Sequence, residues 1–272
     1  MIRSVLFSVA YWGLSVVYVL TALPLLALPG RCAISAWIRS YTRAMRWAMR
    51  WCAGIRQEVR GRDKLPEGAF ILAAKHQSWG DGFLVYPEID NLAFVTGDHL
   101  EKLPFVGRIL RKLGAVVIDT CGGGERKAAS LANGMARVAA DGRRVLIYPE
   151  GHLAPVDHHF RYKSGVWHMQ AAMDVPVVPV ATNIGLFWGQ EGFRKTTGTA
   201  VLEFLDPIPP GLGKAAFMAQ LTDVVETATA QLVGEARGTR PVAATLLPDP
   251  VKGVLAKPLT EATAALPAKP AK

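Results

Sequence analysis

The chain has 272 residues, half of them hydrophobic and 19% charged, with 31 Lys and Arg against 22 Asp and Glu. A chain this apolar can bury enough surface to offset its ordering entropy, which excludes disorder, and its apolar residues are concentrated in a single long run, which excludes a polytopic membrane protein. Its three cysteines, Cys32, Cys52 and Cys121, are odd in number and scattered, so the sequence indicates neither a disulfide framework nor a thiolate metal site.

The basic excess sits at one end. Residues 1–60 hold eight arginines and one acid, Glu58, and so supply seven of the nine net positive charges. The same region opens with an apolar run: residues 4–30 contain no charge. As continuous helix that run would be about 40 Å long, whereas a bilayer core needs only about 20 apolar residues. Pro24 and Pro29 break its far end, which predicts one helix followed by a bent or shortened piece. A cleaved signal peptide has an apolar core of only about 7–15 residues, so the length favours an anchor that stays.

A second helix is expected over residues 33–55. Arg39, Arg43, Arg46 and Arg50 follow each other at steps of four, three and four and line one face, while Trp37, Tyr41, Ala44, Ala48, Trp51 and Ile55 fall on another. Such a helix suits a lipid headgroup layer. A helix packed on the rest of the chain with solvated arginines is the alternative, and one helix can do both. Arginines on this flank place the remainder of the chain in the cytoplasm, on the inner face of the cell membrane. Membrane lipid rather than nucleic acid is the partner this charge distribution implies.

Beyond residue 55 strands and helices alternate. Strands are expected at 70–74, 92–96, 115–118, 144–148, 175–181 and 200–205, and helices at 80–87, 104–113, 125–140, 165–173 and 215–233. Strands joined through helical crossovers imply an α/β fold with a largely parallel central sheet, helices on both faces, and the membrane-associated helices preceding it. From Arg240 the composition turns to Pro, Ala and Lys, which cannot build a core and reads as a mobile tail. Three units result: anchoring helices over 1–55, a catalytic domain over 56–237 and a flexible tail over 238–272.

Two short stretches carry chemistry. His76 and Asp81, in Lys75-His76-Gln77-Ser78-Trp79-Gly80-Asp81, stand five positions apart at a strand-to-helix junction. On continuous helix they would point about 140° apart, but a turn can bring the carboxylate back onto the imidazole. There it would fix one tautomer and make the other ring nitrogen a base suited to deprotonating a hydroxyl. Tyr148-Pro149-Glu150-Gly151-His152 follows an apolar strand, where ligands bind in parallel sheets, and Gly151 permits close backbone approach. Arg161 and Lys163 could place positive charge over the same site.

The pairing of His-x4-Asp with a later strand ending Pro149-Glu150-Gly151, then Val175-Pro-Val-Val-Pro-Val180, resembles the glycerolipid acyltransferase family, whose best-known class is the 1-acyl-sn-glycerol-3-phosphate (lysophosphatidic acid) O-acyltransferases. The resemblance covers residues 56–235 in the same motif order, and the stretch Gly114 to Thr120 matches the second family motif. It implies transfer of a fatty acyl group from acyl-CoA or acyl carrier protein to a lyso-lipid hydroxyl, with His76 as general base, Asp81 holding it, no acyl-enzyme and no cofactor beyond the thioester. Glu150 and Gly151 would form the acceptor-headgroup pocket.

The chain departs from the family at two arginines. The second motif ends Ile118-Asp119-Thr120 where the family has Ile-Asp-Arg, and the third reads Pro149-Glu150-Gly151-His152-Leu153 where the family has Pro-Glu-Gly-Thr-Arg. Loss of two bidentate donors weakens phosphate recognition unless Arg126, Lys127, Arg161 or Lys163 compensate. Thr120 and His152 then line a pocket suited to a lyso-aminolipid. Phosphatidic acid formation is the alternative, and a non-catalytic lipid-surface binder is the reading from another class. His152, Asp157, His158 and His159 match no common zinc spacing, and Gly122-Gly-Gly124 lacks the rest of a phosphate-binding fingerprint.

Overall fold

The computed structural model of the protein describes residues 1–103, 105–118, 124–190 and 193–250, and the backbone alone at 98, 99, 124–130 and 132. Seven strands form one sheet: β1 (Ile55–Arg60), β2 (Ile71–Ala74), β3 (Leu92–Gly97), β4 (Val116–Ile118), β5 (Arg144–Ile147), β7 (Val177–Thr182) and β8 (Gly198–Phe204), ordered β1-β8-β7-β2-β5-β3-β4. Every neighbouring pair is parallel except β7 with β8. A separate parallel pair joins β6 (His158–Phe160) to β9 (Thr245–Leu247). The largely parallel sheet expected from the alternation of elements is therefore present.

Alternation along β2 shows how the layers are filled, because successive strand side chains point to opposite faces. Leu72 and Ala74 enter a core with Phe7, Met45, Met49, Leu84 and Trp188, under helices α1 (Ile2–Ala22), α2 (Cys32–Ala48) and α3 (Asp81–Val85). Ile71 and Ala73 enter the opposite core with Met135, Val166, Met169, Phe217, Leu221 and Val225. That second layer comes from α6 (Gly124–Ala140), α7 (Gly165–Met173) and α8 (Lys214–Arg237). The short helices α4 (Asp98–Glu101) and α5 (Val106–Leu113) lie on the connection from β3 to β4.

The N-terminal region differs from its expected form in two ways. The helix expected over residues 33–55 ends earlier: α2 passes into a single π-helical stretch, Met49–Ala53, and Gly54 stops it with φ +76°. Glycine suits this left-handed position, where a side chain would be strained and its Cβ would also lie 2.8 Å from the Thr197 methyl. Ile55 then starts β1, a strand that its weak Ile-Arg-Gln-Glu-Val-Arg pattern does not advertise. The second difference is that arginines and aromatics of α2 do not divide cleanly into two faces. Arg39 pairs with Asp90 at 2.7 Å and Arg46 with Glu88 at 2.5 Å, both turned to the domain. Arg43 and Arg50 are exposed alongside Trp47 and Trp51.

Residues 2–27 form the one stretch of described helix long and apolar enough to cross a membrane. Along α1, Phe7, Tyr11 and Leu14 pack on the core, while Val5, Val9, Trp12, Val16 and Leu20 are exposed on the other side. The segment expected to be a mobile tail from Arg240 is structured as far as Pro250, with β9 laid along β6; residues 251–272 lie outside the described residues. Proline content ruled out a core-forming element there, but three residues of edge strand need only a partner's backbone.

Candidate active site

The stretch after β2 makes a tight turn around one carboxylate. Asp81, at the first position of α3, is 2% exposed, and its Oδ2 accepts the backbone N–H groups of Gln77 (2.8 Å) and Ser78 (2.9 Å). The same oxygen lies 2.7 Å from His76 Nδ1. An ionised carboxylate already holding two amides takes a third hydrogen bond only from a donor, so Nδ1 carries the proton and Nε2 keeps its lone pair. The imidazole stacks on the Tyr148 ring with centroids 4.0 Å apart, and its side chain remains 23% exposed. The imidazole is held in place through Nδ1 and remains partly open to solvent.

The second stretch is joined to the first through the backbone. Ala154 N–H donates to the His76 carbonyl at 2.7 Å, and Gly151 N–H closes a turn onto the Tyr148 carbonyl at 3.0 Å. Gly151 takes φ +70°, which glycine adopts without strain. His152 is exposed beside it, its ring edge-on to Phe160 at 5.8 Å. Partial burial of the ring pushes the His152 pKa down, with a further push from the charges of Lys163 and His76 and an opposing pull from Asp249. Lys163 is anchored by its backbone N–H to the Pro149 carbonyl at 2.8 Å, and its ammonium pairs with Asp249. Arg161, two positions earlier, is exposed.

Glu150 is placed differently from the headgroup pocket expected for it. Its side chain is fully buried and turned under the sheet, where Oε2 accepts Phe160 N–H at 2.8 Å and Lys75 Nζ at 3.2 Å. Lys75 also reaches Glu226 of α8 at 2.9 Å and the His158 carbonyl at 3.0 Å, and Tyr162 O–H donates to Glu226 at 2.8 Å. One ammonium faces two carboxylates, so burial dominates and Glu150 is raised from the ordinary carboxylate range to about 7. Sequence reasoning missed Lys75, Tyr162 and Glu226. The available signal was a lysine directly following an all-apolar strand, which must find a buried partner. Thr120 lies outside the described residues, as do the side chains of Arg126 and Lys127.

Known proteins share both the sequence pattern and the fold. A family model described as Acyltransferase matches residues 56–183. The 1-acyl-sn-glycerol-3-phosphate acyltransferase of Pseudomonas aeruginosa is 31% identical over 206 residues, spanning 73% of this chain and 77% of the relative. The protein of the same description from Saccharomyces cerevisiae is 26% identical over 187 residues, 67% of this chain and 60% of the relative. The crystal structure of the 1-acyl-sn-glycerophosphate (LPA) acyltransferase PlsC from Thermotoga maritima superposes with a TM-score of 0.69 at 19% identity, covering 85% of this chain and 96% of that one.

Proposed function

The chain belongs to the glycerolipid acyltransferase family, and from that membership we propose that it transfers a fatty acyl group from a thioester, acyl-CoA or acyl carrier protein, to the free hydroxyl of a lyso-lipid at a membrane surface. The observation that carries the reading is the His76–Asp81 contact at 2.7 Å on a partly open imidazole, next to the turn at Gly151. His76 Nε2 takes the hydroxyl proton as the oxygen attacks the thioester carbonyl carbon. The tetrahedral intermediate collapses with loss of the thiolate, and the imidazolium returns its proton to that sulfur. Asp81 keeps the tautomer and stabilises the imidazolium. No nucleophilic side chain and no cofactor enter this sequence of steps.

For the acceptor we favour 1-acyl-sn-glycerol 3-phosphate. The two relatives bear that description, and Lys163, tied through its backbone N–H to the Pro149 carbonyl at 2.8 Å, supplies a cation on the segment bound to the Pro149-Glu150-Gly151 turn. A lyso-aminolipid is the second reading, favoured by Thr120 and Leu153, which stand where the family has arginine. Purified enzyme offered both acceptors decides between them by kcat/KM. Replacing His76 with Ala should lower turnover of the better acceptor at least about a hundred-fold. Undiminished turnover would refute the base assignment, whereas no turnover of either acceptor by the unsubstituted protein would leave the non-catalytic lipid binder as the reading.

Membrane association rests on the same architecture. The exposed stripe of α1, with Trp47 of α2 and Trp51 of the π-helical stretch that follows it, offers an apolar flank, and Arg43 and Arg50 add exposed charge suited to anionic headgroups. The cytoplasmic face fits this arginine-rich flank and the source of acyl thioesters.

A further inference from the structure

Lys163, tied through its backbone N–H to the Pro149 carbonyl at 2.8 Å beside the Gly151 turn, has its ammonium already occupied by a carboxylate of the same chain. After α8 ends at Arg237, the chain turns back across the loop beyond Gly151. Arg237 pairs with Asp157 at 2.8 Å, Thr245 N–H donates to the Asp157 carbonyl at 2.8 Å, and Thr245, Leu246 and Leu247 run parallel to His158, His159 and Phe160. This strap ends at Asp249, between Pro248 and Pro250, whose carboxylate pairs with Lys163. Flanking prolines hold such a residue extended, so the carboxylate is presented rather than free to wander.

Everything about this contact is weak enough to yield. The two partners are 46% and 48% exposed, a setting in which ion pairs contribute only about 0–1 kcal/mol. β9 is three residues long, and Leu246 is 59% exposed. A two-stranded pair of that size is marginal in water. A phosphate carries more charge and more acceptor oxygens than a carboxylate and would compete well for the same ammonium. Arg161, exposed two residues away and without an ion pair among the described residues, adds a second donor once the strap lifts.

We propose that Asp249 is an intramolecular stand-in for the acceptor's phosphate: it occupies Lys163 in the free enzyme, and the strap over residues 238–250 must lift for the acceptor to bind, so that it sets the affinity for anionic acceptors. This rests on the acyl-transfer reading, in which Lys163 faces the headgroup.

The test uses the full chain carrying D249N. Its KM for 1-acyl-sn-glycerol 3-phosphate should fall about two- to five-fold, the worth of an exposed ion pair, with kcat little changed. K163Q should raise KM, and D249N added to K163Q should change nothing further. A monoacylglycerol, which has no phosphate, should be indifferent to D249N. In the unsubstituted protein, the amides of Thr245, which donates to the Asp157 carbonyl, and of Leu247, two positions on along the same strand edge, should exchange with deuterium faster when the lyso-lipid is added. Inorganic phosphate alone, if it accelerates them too, marks the phosphate group rather than the lipid as the trigger. An unchanged or raised KM in D249N, or an effect that survives in K163Q, overturns the proposal. If no lyso-lipid is turned over at all, the acyl-transfer reading fails by itself. Exchange then decides the strap: acceleration by phosphate or lyso-lipid sustains it, and indifference to both removes it.

Discussion

Glu150 shows how a single residue of a recognisable motif can act at a distance from the substrate. Its carboxyl is buried beneath the histidine loop, held by Lys75 and the Phe160 amide, with Oε1 3.4 Å from the His76 backbone nitrogen. We therefore assign it to positioning the loop that carries the base. Because its folded pKa is raised from 4.5 to about 7, the folded state binds the proton more tightly than the unfolded chain does. The stability this provides is present at low pH and is lost as pH rises between about 4.5 and 7, by up to about 3 kcal/mol for this group taken alone. Thermal melts across that window should show Tm declining with pH beyond the trend of the other groups. E150Q should flatten that component, because an amide keeps the shape and cannot ionise. A variant with the same pH slope as the parent would mean that the titrating group is elsewhere.

At the scale of elements, α1 and α2 combine two tasks that a simple amphipathic pattern does not separate. Each helix has one face in the core: Phe7 meets Trp188 edge-on at 4.9 Å, and Tyr41 meets Phe83 at 5.5 Å. Each also has an outward face that nothing among the described residues covers, Val5, Val9, Trp12 and Val16 on α1 and Trp47 on α2, continued by Trp51 of the π-helical stretch. A contiguous exposed apolar surface of this kind marks a contact with lipid or protein. Replacing Val9 and Val16 together with Asp should reduce co-sedimentation with anionic vesicles roughly ten-fold or more, since the stripe then carries charge into the acyl boundary. The two positions are solvent-facing, so the far-ultraviolet circular dichroism should not change. Equal sedimentation of the variant would show that the stripe does not face lipid.

For the molecule as a whole, the consequence is that the N-terminal helices are built into the catalytic fold. Phe7 is 1% exposed, and it shares a core with Met45, Met49, Leu72, Val178 and Phe204. Ser4 Oγ accepts the Lys195 N–H at 2.9 Å from the far end of the sequence. A chain lacking residues 1–54 would lose Phe7, Met45, Ala48, Met49 and Ala53 from the core that contains Leu72, Leu146, Val178 and Val180. It should fail to give a cooperative melt and should aggregate even in detergent. A soluble, cooperatively folding and active product would show that residues 1–54 are a detachable anchor, as the division of the sequence at residue 55 suggests.

What the sequence determined by itself is local or periodic: the apolar run of the first helix, the order of strands and helices from residue 70 to 233 apart from α4 and β6, the His-x4-Asp spacing and the turn at Pro149-Glu150-Gly151. Each depends on neighbours a few positions apart, and periodicity records those directly. The tertiary structure decided what depends on distant partners. β1, β6 and β9 are strands because β8 and each other's backbone complete them, not because of their own side-chain patterns. Arg39 and Arg46 face inward because Asp90 and Glu88 wait there. Glu150 is buried because Lys75 and Glu226, 75 and 76 residues away on either side, meet it under the sheet. Asp249 lies on Lys163 for the same reason: the charge of a residue is written in its own chemistry, but the identity of its counter-ion is set only when the chain folds back on itself.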